Sequence, residues 1–444
     1  MQMASLSPAE ALKPAGQRGL PPALRTFVTG LAGFLTYFAM YAFRKPIGAA
    51  HFAHVAGWHF ALDYKSALLI SQVLGYALSK IVGIKVIAEM NGSRRAVAII
   101  ALVGSAWLAL VLFALLPAPW NVACLFLNGM PLGMIWGLVF SYMEGRRTTE
   151  ILGSMLCACF IVASGAVKSV GGWLLLSGIS EFWMPAATGA LFFPLLLASV
   201  WVLTLMPPPN DDDIAQRTRR VPMSGHDRLA FWREHSLPLT LLVASYLVIT
   251  ALRDFRDNFA AELWSALGYG DAPSMFSASE LPIGIVVLPT LALIGLIHAN
   301  RRAMAIMHGV IAFGMVLLAG STLAFSLHLL SPLAWMTLTG AGLYLAYTPF
   351  NAMLFDRLIA LFGKPGNSGF LIYVGDAAGY VASVTLLLYR SFAAPNLGWT
   401  RFYTDACYGV ALVVTVCTVL SGWLILRKDG QARANSAVQP TARR

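Results

Sequence analysis

Apolar stretches of about twenty residues recur along the chain, separated by short polar segments, and a helix of that length crosses the hydrocarbon core of a bilayer. They lie near 24–46, 65–86, 95–116, 120–142, 150–170, 185–206, 237–259, 280–299, 302–326, 333–355, 367–389 and 403–426. Each ends at a charge, a proline or a Gly/Asn-containing turn. None shows the weak ten-residue alternation of a membrane barrel. The pattern predicts an all-α, polytopic membrane protein with about twelve transmembrane helices. The longest polar interruption, 207–236, opens Pro207-Pro208-Pro209-Asn210-Asp211-Asp212-Asp213 and divides the spans six and six. The expected organisation is therefore a disordered cytoplasmic tail over 1–23, a six-helix half over 24–206, a cytoplasmic linker over 207–236, a second half over 237–428 and a tail over 429–444.

Composition agrees: of 444 residues, 58% are hydrophobic and only 11% charged, with mean hydropathy +0.70. A net charge of +11 would point to nucleic acid in a soluble chain, but here the basic residues follow alternate loops. Presumed cytoplasmic segments hold 22 Lys and Arg against 4 on the opposite face (Lys45, Lys65, Arg390, Arg401), with 5 inside spans. That asymmetry puts both termini in the cytoplasm, and the expected partner is the lipid bilayer rather than nucleic acid. The first 23 residues lack a basic-then-apolar pattern, so no cleavable signal peptide is expected. All five cysteines fall in apolar runs. Without metal-ligand spacing, a phosphate-cradling Gly-Lys-Ser/Thr loop or a nucleophile elbow, neither an enzyme nor a cofactor is expected.

Charged groups inside spans carry the chemistry, because an ionisable residue at membrane depth normally faces a bundle interior or a wet cavity. In Tyr37-Phe38-Ala39-Met40-Tyr41-Ala42-Phe43-Arg44-Lys45-Pro46, residues Tyr37, Tyr41 and Arg44 share one helical face. Snorkelling of Arg44 to an interface is the competing reading. Span two places Tyr76 and Lys80 one turn apart, and Lys168 lies late in span five, at a cavity or at the helix end. In span seven Tyr246, Thr250, Arg253 and Asp257 form one stripe, in which Arg253 and Asp257 either pair with each other or meet cargo. Asp254 and Arg256 are expected to cancel in the same way. Asp376, flanked on its face by Tyr373 and Tyr380, is a titrating group or a fixed counter-ion for Lys80 or Arg44. Tyr344, Tyr347 and Asn351 form a polar face in span ten, and Glu144 and Glu150 beside Arg146-Arg147 read as solvated loop pairs. Gly129, Gly133 and Gly137 recur every four residues, which allows close helix packing.

The six-loop-six plan resembles the major facilitator superfamily, whose site lies at the midplane between two halves. After span two the chain reads Gly83-Ile84-Lys85-Val86-Ile87-Ala88-Glu89-Met90-Asn91-Gly92-Ser93-Arg94-Arg95, similar to that superfamily's G-x-x-x-D-R-x-G-R-R loop, with Glu89 in place of the aspartate and Met90 in place of an arginine. The resemblance implies a locking role for Glu89, Arg94 and Arg95. Tyr37-x-x-x-Tyr41-x-x-Arg44-Lys45 followed by Tyr76-x-x-Ser79-Lys80 resembles the organophosphate:phosphate antiporters over about 60 residues. The resemblance implies phosphate binding by Arg44 and Lys80 and lining by the tyrosines. Arg253 lies about one turn late against that family's second arginine.

Taken together, Arg44, Lys80 and Lys168 outnumber Asp376 and leave the interior positive, which favours an anion held bidentately by guanidinium. The expectation is a monomeric secondary transporter of a small anionic metabolite, possibly phosphorylated, in the inner membrane. A proton-coupled carrier of a neutral or cationic solute and a non-transporting sensor on the same fold are the alternatives.

Overall fold

The computed structural model describes residues 21–90, 92–143, 152–153, 155–156, 159–206, 225–362 and 368–438. Glu144, Arg146, Arg147, Glu150, the aspartate run 211–213 and the first 20 residues lie outside them.

The described elements are helical: α1 (Pro22–Tyr41), α2 (Tyr64–Glu89), α3 (Arg95–Leu115), α4 (Asn121–Leu132), α5 (Ile135–Phe140), α6 (Cys159–Leu176), α7 (Met184–Thr204), α8 (Gly225–Glu234), α9 (Ser236–Asn258), α10 (Ala260–Ala266), α11 (Ser274–Gly295), α12 (Asn300–Ser326), α13 (Pro332–Pro349), α14 (Phe355–Phe362), α15 (Ser368–Phe392) and α16 (Trp399–Val438). Among the described residues eight spans are long and apolar enough to cross a membrane, one of them α4 and α5 together. Helix α1 contributes a shorter apolar run, Thr26–Tyr41. The other three long rods are α2, α13 and α15.

Local chemistry sets several of the breaks. Ser331 caps α13 by accepting from the Ala334 amide at 3.3 Å, with Pro332 at the first helical position. Pro131 lacks an amide hydrogen, and the chain turns at 133–134, so the single span expected over 120–142 becomes α4 and α5. Span one, expected to 46, ends as an α-helix at Tyr41 and gives way to a turn and a 3-10 segment, Pro46–Ala49. Pro349 is followed by a π-turn over Phe350–Leu354 that includes Asn351; turns of this width concentrate at functional positions.

Two expectations about polar segments change. The stretch read as linker contains α8, because Phe231 is buried and the His235 ring stacks on Phe362 at 3.9 Å, giving that segment an apolar anchor. Residues 429–438, read as a disordered tail, continue α16, since helix propagates readily through Gln431-Ala432-Arg433-Ala434 once nucleated.

In the first half α2 and α3 pack on α4, and α1 packs on α7; in the second, α12 packs on α13 and α16, and α9 on α15 and α16. Across the halves α6 lies on α11 and α2 on α15, while the Pro46–Ala49 turn touches α9 and α10. Glycine makes the tightest of these contacts possible. A Cβ on Gly129 would come 2.1 Å from the Gln72 carbonyl oxygen, and one on Gly75 2.2 Å from that of Phe126. Gly129→Leu should therefore push α2 off α4 and cost about 1–3 kcal/mol, read as a lower melting temperature of the detergent-purified protein.

Candidate functional site

Helix α1 ends one turn before Arg44, and polar side chains of neighbouring helices pin the backbone there. Asn128 donates to the Phe43 carbonyl at 2.9 Å, and Gln72, which donates to Asn128 at 2.7 Å, also reaches the Arg44 carbonyl at 3.3 Å. These bonds turn the Arg44 guanidinium onto the face of Tyr76, 3.9 Å from the ring centroid. Tyr37, Tyr41 and Tyr380 complete its electrostatic surroundings, and Tyr37 and Tyr41 stand edge to face at 5.5 Å. The Arg44 Nε is buried without a hydrogen-bond partner. Among the described residues Arg44 meets no carboxylate.

Lys80, one turn past Tyr76, forms an ion pair with Asp376 of α15, which joins the two halves. The other oxygen of Asp376 accepts from the Tyr246 hydroxyl at 2.7 Å, and Tyr246 also approaches Tyr347 at 3.3 Å and Asn351 at 3.4 Å. Asp376 is thus paired with Lys80, while among the described residues Arg44 has no such partner. Arg253 lies over Tyr347, 3.7 Å from the centroid, and pairs with Asp254 at 2.7 Å. Ser383 of α15 donates to the second Asp254 oxygen at 2.9 Å. Tyr41 lies within electrostatic range of both Arg44 and Arg253, which connects the two clusters. The Asn351 Nδ2 and the Thr250 hydroxyl are buried without partners, as is the Ser79 hydroxyl.

The expected pairing of Arg253 with Asp257 is not what forms. Although they share a helical face, Asp254 lies nearer to Arg253, and Asp257 at the end of α9 meets the other half. It pairs with Lys45 at 2.5 Å and Lys168 at 2.6 Å and accepts from Ser164. Lys168 also donates to the Asp257 carbonyl at 3.0 Å, so it is a buried bridge rather than a helix end snorkelling outward. Arg256 does not cancel Asp254 either: it pairs with Glu280 of α11 at 2.6 Å and donates to the Met336 carbonyl at 3.0 Å.

Lys45 and Lys65, expected among the outer-face positives, are both largely enclosed. Lys65 is 1% exposed and pairs with Glu262 of α10 at 2.7 Å. Together with Ser169, which donates to the Pro273 carbonyl at 2.8 Å, these contacts tie the halves at the end of the bundle remote from the termini. Glu262 and Glu280 are functional candidates that the sequence reading missed. Their signal was present, an acid within Ala260-Ala261-Glu262-Leu263-Trp264 and another at the start of an apolar run, but loop and span boundaries hid it.

Tyr344 donates to the Phe160 carbonyl at 2.8 Å, a further bond across the halves. Glu89 closes α2, Arg94 is exposed, and Arg95 donates to the Ser141 carbonyl at 2.9 Å with its guanidinium near the Tyr142 ring. Among the described residues no group of three His, Cys, Asp or Glu could hold a metal ion.

Seven cations, Arg44, Lys45, Lys65, Lys80, Lys168, Arg253 and Arg256, thus meet five carboxylates, Asp254, Asp257, Glu262, Glu280 and Asp376. Among the described residues the formal excess is two positive charges: Arg44 has no acid, and Lys45 and Lys168 share one.

The sequence profile described as "Family of unknown function (DUF5690)" matches residues 46–428. The chain belongs to this family. The matched region of this DUF5690 member includes Tyr76, Lys80, Lys168, Arg253 and Asp376 and begins just after Arg44-Lys45. No curated protein matches the chain. Several solved structures are similar in fold. One is the xylose transporter XylE from E. coli in a partially occluded inward-open conformation, with TM-score 0.57, 14% identity and coverage of 90% of this chain and 96% of that one. A bacterial homologue of the human drug peptide transporters has TM-score 0.60 and 12% identity, with 92% and 100% covered. A bacterial homologue of the human lysosomal transporter Spinster, inward-facing and unoccupied, has TM-score 0.57 and 13% identity, with 92% and 98% covered. At such identities the likeness establishes the fold, an all-α membrane protein of the major facilitator type.

Proposed function

We propose that this protein is a secondary active transporter that carries a small anionic solute, with phosphate esters the first class to test, by alternating access between its two halves. The single observation that carries the reading is Arg44: a guanidinium enclosed by tyrosines, with a buried Nε lacking any partner and, among the described residues, no acid beside it and two more buried cations than carboxylates around it. An uncompensated charge in a low-dielectric interior is costly, and an anion of matching geometry relieves it. Tyr37, Tyr41, Tyr76, Tyr344 and Tyr347 would set the width of the pocket, the tyrosines other than Tyr344 would offer hydroxyl donors, Lys80 and Arg253 would add charge from each half, and Asn351 would contribute its free amide donor. The fold neighbours described as xylose and peptide transporters support transport as the class of activity. The resemblance of spans one and two to the organophosphate:phosphate antiporters supports the anionic cargo.

In this reading the protein lies in the inner membrane with both termini cytoplasmic, so the pairs formed by Asp257 and Glu262 close the outer side, and Glu89, Arg94 and Arg95 lock the cytoplasmic side in the opposite state. Proteoliposomes containing the full chain test it. Uptake of labelled glycerol phosphate or of a small organic acid, saturable and competed by unlabelled anions, is the expected result. Accumulation of a neutral sugar or dipeptide with no effect of any anion would overturn it.

A further inference from the structure

Where α12 ends and α16 begins, at the end of the bundle remote from the termini, a crevice of about 510 Å³ opens between the two helices. Phe325 and His328 lie on one side of it, and Arg401, Asp405 and Tyr408 of α16 on the other. Phe325 is a fixed surface, because its ring stacks on the buried Trp335 at 4.0 Å. The crevice lies apart from the charged clusters between the halves and has no part in holding cargo. We propose that it seats the headgroup of a phospholipid that carries a primary ammonium beside its phosphodiester, a phosphatidylethanolamine.

Arg401 and Asp405 lie one turn apart on α16 and pair through Nε and Oδ2 at 2.9 Å. Their side chains are 73% and 50% exposed, so the pair by itself contributes little to stability. It leaves the terminal nitrogens of Arg401 and the Oδ1 of Asp405 without a partner among the described residues. Guanidinium takes a phosphate group through parallel N–H···O bonds, and the remaining carboxylate oxygen accepts from an ammonium. In phosphoethanolamine a two-carbon bridge separates the two charges, which matches the roughly 5 Å of one helical turn between the two side chains. A simple ion of either sign would meet a like charge here as well as an opposite one. A zwitterion in this order meets opposite charges at both ends. Choline would present methyl groups and no N–H to Asp405, and glycerol no positive charge, so ethanolamine is the headgroup that uses both side chains.

The surface beside the crevice suits the rest of such a molecule. Arg401, Asp405 and Tyr408 continue along one face of α16 into Leu412, Val416 and Val419, all exposed and recurring every third or fourth residue within the span Trp399–Arg427. Trp399 opens that span, as aromatic residues do at a membrane interface. A charged end at the interface that runs into an apolar stripe along the span fits an acyl-chain lipid rather than a soluble phosphate ester.

Native mass spectrometry of the purified, delipidated full-length protein tests this with an equimolar mixture of dioleoyl phosphatidylethanolamine, phosphatidylcholine and phosphatidylglycerol. The expected result is one phosphatidylethanolamine retained about three- to fivefold over phosphatidylcholine, the ratio that a single exposed charge pair supports. Asp405→Asn should equalise the two, and Arg401→Gln should lower the retention of both. Because these side chains are exposed, both variants should melt with the wild type. Equal retention of the two lipids by the wild type, or a preference for phosphatidylglycerol or phosphatidylcholine, overturns the assignment. So does a phosphatidylethanolamine preference that survives Asp405→Asn, since that places its source elsewhere on the lipid-facing surface. The outcome does not depend on what the protein carries.

Discussion

Arg44→Gln is expected to abolish anion binding while leaving a folded protein. Most buried cations cannot be removed cleanly, because the carboxylate left behind is itself a buried, unpaired charge. Arg44 is different: among the described residues it has no acid to strand, and it is held by tyrosine faces and backbone pinned through Gln72 and Asn128. Glutamine keeps much of the length and polarity and removes the charge. A charge-assisted hydrogen bond contributes about 1.5–3 kcal/mol, and a bidentate pair contributes more, so the loss in affinity should reach about 100-fold. The measurement is the rise in melting temperature that an anion gives the wild type, since a ligand binding only the folded state stabilises it. Wild-type and variant proteins should melt within a few degrees of each other without ligand, and only the wild type should respond to phosphate esters. An undiminished response in Arg44→Gln would remove Arg44 from the site.

Asp257→Ala should be the most destabilising change in the cluster. Two lysines, Lys45 and Lys168, converge on its two oxygens, and Ser164 donates to it as well. Removing it strands two cations in largely enclosed positions; breaking a single buried pair costs about 3–5 kcal/mol. The reverse experiment has a different expected outcome, because Lys168→Met leaves Lys45 and Asp257 as a balanced pair. Unfolding in detergent should show a large loss of stability for Asp257→Ala and a much smaller one for Lys168→Met. Equal losses would mean that the second lysine is not in excess. Because the cluster joins the halves at the end remote from the termini, cysteines placed across it should also become more readily labelled in Asp257→Ala.

Much of the fold could be read from the chain because the free energy of moving a segment into lipid is a sum over its own residues. The run from Arg95 to Leu115 is legible as a span without knowledge of anything else. The first cluster of the site was legible for a similar reason. Tyr37, Tyr41 and Arg44 lie on one helical face by spacing alone, and an arginine after a long apolar run is conspicuous wherever it points.

Partners were not legible in this way. Helical spacing brings Arg253 and Asp257 together on paper, yet Asp257 is taken by lysines 89 and more residues away in sequence. Lys45 and Lys65 look like ordinary loop positives until Asp257 and Glu262 arrive from the other half, and Arg256 finds Glu280 on a neighbouring helix rather than Asp254 on its own. By itself, then, the sequence determined an all-α membrane bundle, its number of rods, and a surplus of positive charge inside it, since those follow from local hydropathy and composition. Which cation keeps a carboxylate and which is left free for an anion was decided only when the two halves packed. Ion pairing depends on distance in space, and the competing acids come from helices that local pattern cannot place.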